Sequence, residues 1–171
     1  MNIRTLCNRD AERMLEWMQH PDIADNFRFG SSKVDIRTTI SFIEASLNNT
    51  SSQHYAVTDD KDQYMGTVSL KNIDFENKNA EYAISLHMDA IGKGYARFAT
   101  DAILDVAFKE LKLNRVYLNV LSKNIRAIKF YEKYGFIFEG EFKEHLFHKG
   151  KFENLRWYRI LASEKEAMDK S

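Results

Sequence analysis

The 171-residue chain reads as a single α+β domain spanning 1–171, a central, mostly antiparallel mixed sheet of about seven strands flanked by about four helices. Three observations predict this. The hydrophobic period switches repeatedly between the helical and the strand repeat. One proline, Pro21, and seven glycines leave no long flexible linker. No internal repeat is found.

The elements follow in order. MNIRTLC is a short first strand that carries the single cysteine, Cys7, expected to be buried. NRDAERMLEWMQ is a helix capped by Asn8 or Asp10, with Met14, Leu15, Trp17 and Met18 apolar. HPDIADNFRFGSS is the turn after it. VDIRTTISFIEASLN places Ile36, Ile40, Ile43 and Leu47 at helical spacing, with Asp35 near its start. HYAVTD, QYMGTVSLKNI and NAEYAISLHM then form an antiparallel meander. In the last of these, Tyr82, Ile84 and Leu86 share one face and Glu81, Ala83, Ser85 and His87 the other.

From Tyr95 the apolar residues Tyr95, Phe98, Ala99, Ala102, Ile103, Val106 and Ala107 describe one helix face. LNRVYLNVLS is a strand. KNIRAIKFYEKYGF is a helix ending at Gly135, where a left-handed C-terminal residue is wanted. FIFEGEFKEHLF and KFENLRWYRILA are the last two strands, and the tail SEKEAMDKS, 163–171, is expected to fray.

Composition narrows the function. Lysine plus arginine equal aspartate plus glutamate at 25 each, which argues against a dedicated nucleic-acid binder. One cysteine permits no internal disulfide and suits a reducing, cytoplasmic setting. The N-terminus lacks a leader's apolar core, and no apolar run is long enough to span a membrane. His145 and His148 stand three apart on a strand, hence on opposite faces, so no metal site is expected.

Gly92-Lys93-Gly94 lies at the start of the helix that opens at Tyr95. Helix N-termini carry unpartnered N–H groups and partial positive charge, and glycine lets a bulky anion approach the backbone. The spacing is neither that of a P-loop nor that of a dinucleotide fingerprint. By itself it fits a phosphate site or a plain turn.

Asn124, Ala127, Tyr131, Gly135 and Phe136 form the series Asn-x-x-Ala-x-x-x-Tyr-x-x-x-Gly-Phe. Together with Gly92 and Gly94 this resembles the GNAT superfamily of acyl-CoA-dependent N-acetyltransferases, and the order of elements agrees along nearly the whole chain. The resemblance implies the GNAT fold and acetyl-CoA as co-substrate, without a metal. It implies that the pyrophosphate rests on the turn from Gly92, Lys93 and Gly94 through Tyr95, Ala96 and Arg97. The pantetheine arm would run beside Leu86, His87 and Met88, with Asn124 bonding the cofactor and Tyr131 acting as general acid. A phenol with a pKa near 10 suits protonation of a thiolate of pKa about 8.5. Asp89 departs from the family's Gln or Arg and would repel phosphate if it faced the ligand. Lys123, Arg126, Lys129 and Lys133 either solvate their helix or meet the cofactor's 3′-phosphate.

The acceptor must lose a proton before it attacks. Glu81 occupies the place where many family members carry the base; its structural alternative is an ion-paired glutamate. The acceptor pocket is expected from Trp17, Asn26, Phe27, Arg28 and Phe29 on one side and His145, Phe147 and Trp157 on the other. Resemblance to three branches leaves three acceptors open: a nucleotide-linked aminosugar, favoured by Arg28 and the aromatics, a polyamine such as spermidine, or a ribosomal-protein N-terminus. A non-catalytic acyl-CoA-binding module is the reading from another class. The resemblance is also compatible with a homodimer through the final strands.

Overall fold

The computed structural model describes residues 1–20 and 34–170. Asn26, Phe27, Arg28 and Phe29 lie outside the described residues. The elements are β1 (Asn2–Thr5), a 3₁₀ turn (Asn8–Asp10), α1 (Ala11–Gln19), α2 (Ile36–Leu47), β2 (Gln53–Thr58), β3 (Tyr64–Asp74) and β4 (Asn79–Leu86). After a second 3₁₀ turn (Met88–Ala90) come α3 (Tyr95–Asp105) with a π-helical extension (Val106–Glu110), β5 (Arg115–Leu121), α4 (Ile125–Tyr134), β6 (Ile137–His148), β7 (Lys151–Leu161) and α5 (Ala162–Asp169).

The seven strands form one sheet in the order β1-β2-β3-β4-β5-β7-β6. Every neighbouring pair is antiparallel except β4 and β5. Parallel neighbours need a crossover, and α3 supplies it. Strand alternation sends Val68, Leu70, Tyr82, Val116, Leu118, Tyr158 and Ile160 to one face, where they pack on Ala99 and Ile103 of α3 and Ile128 and Tyr131 of α4. On the other face α1 and α2 bury Leu6, Met14, Trp17 and Ile43 against Ala56 and Tyr64.

Local signals explain most boundaries. Asp35 caps α2, its Oδ1 accepting the Thr38 N–H at 2.8 Å while Thr38 Oγ1 accepts the Asp35 N–H at 3.0 Å. Asp10 stands at the cap position of α1, but its buried carboxylate is drawn off by Arg4, at 2.8 Å to each oxygen, and by the Cys7 N–H at 3.0 Å. Cys7, expected in the first strand and buried, instead follows that strand and is half-buried.

The tail is a second correction. Residues 162–169 form α5, whose Met168 packs on the main core and whose Lys165 is 7% exposed and reaches Asp101 of α3 at 3.6 Å. The residues doing the burying are one methionine and a lysine stem, so the segment lacks an apolar stripe.

Gly66 of β3 pairs with Leu86 at the end of β4. A Cβ there would lie 2.4 Å from the Ser85 carbonyl oxygen, which is backbone and cannot give way cheaply. Gly66→Ala is expected to lower stability by about 1–3 kcal/mol, the range for overpacking, as read by urea denaturation. An unchanged midpoint would show that the β3–β4 contact yields easily.

Candidate active site

β4 and β5 pair only at Asn79–Glu81 against Arg115–Tyr117, although β4 runs on to Leu86 and β5 to Leu121. Beyond Glu81 the strands part. A cleft of about 1250 Å³ passes through the sheet there, lined by Ala83, Ile84, Ser85 and Leu86 on one side and Asn119, Val120 and Leu121 on the other.

On the α3–α4 side the walls are Gly92, Gly94, Ala96, Arg97, Asn124, Arg126, Ala127, Tyr131 and Lys133, among others. Gly92 and Gly94 both take positive φ, +75° and +86°, which glycine tolerates without strain. The first bond inside α3 runs from the Phe98 N–H to the Gly94 carbonyl at 3.1 Å. The N–H groups of Tyr95, Ala96 and Arg97 therefore have no carbonyl within the helix, the condition for holding an anion. Asn124 caps α4 through the Ala127 N–H at 3.2 Å. Tyr131 is buried among Tyr82, Phe130, Phe136 and Tyr158. Burial pushes its phenol well above the usual range, so the hydroxyl stays protonated through neutral and alkaline pH.

The α1–α2 side is polar and aromatic: Trp17, Thr38, Thr39, Phe42, His54, Thr67, Ser69, Lys71 and Glu81 line it. Glu81 is held by Lys71 Nζ at 2.9 Å, Asn72 Nδ2 at 2.9 Å and Asn119 Nδ2 at 3.3 Å. His54 Nδ1 lies 2.7 Å from Ser69 Oγ, and Phe42 meets the imidazole edge-on at 5.0 Å between ring centres. Burial, aided by the Lys71 charge, lowers the His54 pKa from 6.5. Tyr64 ties the wall together, its hydroxyl 2.9 Å from Trp17 Nε1 and 2.7 Å from Thr67 Oγ1.

Of the residues expected from sequence, Glu81, Tyr131, Leu86, Met88, Gly92, Gly94, Ala96, Arg97, Asn124 and Trp17 line this one cleft. Lys93 stands exposed on the turn, and Tyr95 is buried in the core beneath it.

His87 is turned away from the cleft. Its N–H donates to Met65 at 2.8 Å and its carbonyl accepts from Ala90 at 3.0 Å. Its ring faces α1, 3.1 Å from Arg13 and 3.0 Å from Glu16. Asp89 is withdrawn in the same direction, 2.8 Å from Arg13, whose hydrogen bond holds its carboxyl below the usual range.

Trp157 and His145 do not reach the cleft either. Trp157 of β7 stacks on Tyr117 at 5.9 Å and lines a separate hollow with Arg115, Glu139, Gly140 and Phe142. His145 is exposed beside Phe142, and Phe147 is 64% exposed. His54, Ser69, Lys71 and Asn119 are the site residues that sequence reasoning missed. The signal was available in QYMGTVSLKNI, where Thr67, Ser69 and Lys71 alternate with apolar neighbours and so share one face. Among the described residues no three His, Cys, Asp or Glu side chains gather as a metal site would require.

A cleft through a parted sheet, with a helix N-terminus at one mouth and a polar wall at the other, has the form of a two-sided binding site. Residues 1–137 match the family model of the acetyltransferase (GNAT) domain. The chain is 31% identical over 117 residues to a spermidine N(1)-acetyltransferase of Vibrio cholerae, covering 68% of each. It is 26% identical over 143 residues to the acetyltransferase PseH of Campylobacter jejuni, covering 84% of this chain and 87% of the other. Among solved structures, the spermidine N-acetyltransferase from Vibrio cholerae in complex with CoA and spermine superposes with a TM-score of 0.87 at 24% identity, over 95% of this chain and 96% of that one. The chain belongs to the GNAT acetyltransferase family and is an acetyl-CoA-dependent N-acetyltransferase.

The His54 environment makes a prediction independent of catalysis. A histidine whose folded pKa lies below 6.5 contributes its full stability above that pH. It loses that contribution as pH falls from 6.5 through the folded value, because the unfolded chain binds the proton first. Urea midpoints should therefore fall between pH 7.5 and pH 5.5, and His54→Gln should fall less than wild type. Equal losses would show that the imidazole titrates normally.

Proposed function

We propose that the chain acetylates the primary amine of a polar, non-polycationic acceptor, first among them the aminosugar of a nucleotide-linked sugar. The observation that carries this is the Lys71–Glu81 ion pair. Glu81 is the one carboxylate among the described residues lining the cleft, and Lys71 neutralises it. A polyamine needs unpaired carboxylates, and this wall offers a cation, hydroxyls and aromatic rings, which suit a sugar and its phosphates. Spermidine is the second reading, favoured by the likeness to the Vibrio cholerae spermidine N(1)-acetyltransferase.

The residues divide the work by face. The N–H groups of Tyr95, Ala96 and Arg97, opened by Gly92 and Gly94, hold the pyrophosphate, with Lys93, Arg97, Arg126 and Lys133 as nearby cations. The unpaired edge of β4 near Leu86 and Met88 runs beside the pantetheine arm, and Asn124 bonds it from α4. Tyr131 gives its phenolic proton to the departing thiolate sulfur. The ion pair favours the structural alternative for Glu81, an anion that fixes Lys71 and Asn119 on the acceptor wall.

Initial rates with acetyl-CoA and a panel of nucleotide-linked aminosugars, spermidine and an N-terminal peptide test the acceptor. A kcat/KM for an aminosugar at least tenfold above that for spermidine is expected. The reverse order would replace the sugar reading with the polyamine one. Tyr131→Phe keeps the ring contacts and should lower kcat roughly 10²-fold, the low end for a general acid, with acetyl-CoA affinity unchanged by calorimetry. Full turnover in Tyr131→Phe would remove it from the reaction.

A further inference from the structure

Acetyl transfer to an amine leaves one proton to remove from nitrogen. Glu81, the residue expected to take it, already accepts from three side chains. Protonating it would break the ion pair with Lys71 and leave an ammonium on a half-buried wall, so the pair opposes that step. The proton needs another acceptor on the same wall.

One row of the sheet supplies it. His54 on β2 pairs with Ser69 on β3, and Ser69 pairs with Ala83 on β4. These positions share the face that holds Lys71 and Glu81, and the row ends where β4 has left β5. Neighbouring strands are ~4.8 Å apart, so the Ser69 hydroxyl stands about one spacing from the opening and His54 about two. The side chain between Ser69 and the opening, Ala83, is only a methyl. All three residues line the cleft. Ser69 is 5% exposed, and its Oγ lies 2.7 Å from His54 Nδ1.

We propose that Ser69 and His54 form the path by which the acceptor amine loses its proton. The N–H bond of the ammonium breaks as an O–H bond forms at Ser69 Oγ. The original Ser69 O–H proton passes to His54 Nδ1, leaving neutral serine, free amine and imidazolium. The imidazolium then returns its extra proton to solvent. The lone pair released on nitrogen attacks the thioester carbonyl, and Tyr131 protonates the leaving sulfur from the opposite face.

The surroundings keep His54 ready to accept. Lys71 faces it from β3 with Glu81 behind that lysine on β4, while α2 contributes the uncharged Thr38, Thr39 and Phe42. Burial and the Lys71 charge both favour the neutral imidazole at pH 7, and Phe42 fixes the ring. Lys71 thus has two effects: it neutralises Glu81 and keeps His54 unprotonated.

The path rests on the amine-acceptor reading above, but not on which amine is used. If spermidine proves to be the better substrate, the sugar reading falls and the same measurements still test the path. The experiment is the pH dependence of kcat and kcat/KM, with the amine turned over fastest, for wild type, Ser69→Ala, His54→Gln, the double variant, Glu81→Gln and Lys71→Gln. Ser69→Ala and His54→Gln should each lose roughly 10²-fold in kcat at pH 7, with acetyl-CoA affinity unchanged. The double variant should lose no more than either alone, and high pH should restore part of the rate as the amine deprotonates unaided. Lys71→Gln should move the acid limb to higher pH, because the imidazolium no longer faces a cation. If Glu81→Gln abolishes the acid limb while His54→Gln keeps it, the proposal is overturned and Glu81 is the base. NMR titration of His54 in the protein alone tests the path without any acceptor. A pKa below 6.5 that rises in Lys71→Gln supports the path, and one at or above 6.5 in wild type overturns it.

Discussion

β4 and β5 are bonded for three residue pairs and no further, and the parting of these two strands governs the rest of the molecule. A parallel pair cannot be closed by a hairpin, so the chain must leave β4, cross through α3 and return. Leaving requires the glycine turn, and the turn places the first N–H groups of α3 at the mouth of the gap. Beneath it, Tyr82, Tyr131 and Phe136 pack edge-to-face and tilted, with ring centres 5.7 to 6.1 Å apart, and hold α4 against the divergent strands. One interruption in pairing therefore produces the passage, the open helix N-terminus and the seat of the Tyr131 phenol.

The electrostatics of the acceptor wall follow from strand register. Lys71 stands directly opposite Glu81 because β3 and β4 pair in that register. Opposite charges at such a position attract, and each cancels the other's field at the substrate. The cations left around the cleft, Arg97, Arg126 and Lys133, all belong to the α3–α4 side. Positive charge is thus concentrated where phosphates are expected, and the α1–α2 wall carries nearly zero net charge among the described residues.

Much of this was legible in sequence because it is local. Asp35 before a helical stripe, Gly135 after one and the period-2 strands each set their own boundary, and residues of the two motifs line the same side of one cleft. What was not legible depends on pairing at a distance. Glu81 reads as a free base until register sets Lys71 beside it. His87 reads as a cleft residue until its N–H is found committed to Met65. Trp157 reads as an acceptor-pocket aromatic until its ring is found stacked on Tyr117 and lining a separate hollow. Asp89, the departure from the family pattern, is resolved by Arg13, a residue on a helix far away in sequence.

The two faces of the sheet also separate the two groups proposed to move protons. Tyr131 is buried and kept protonated on one side; His54 is half-buried and shifted toward its neutral form on the other. In the proposed reaction the sulfur lies on the Tyr131 side of the sheet and the amine on the His54 side. Burial thus raises one pKa and lowers the other from the same cause, desolvation of a charged form, because one group is charged when deprotonated and the other when protonated. Desolvation therefore fixes the resting forms, phenol and neutral imidazole, from which the proposed transfers start, while making each transfer itself harder.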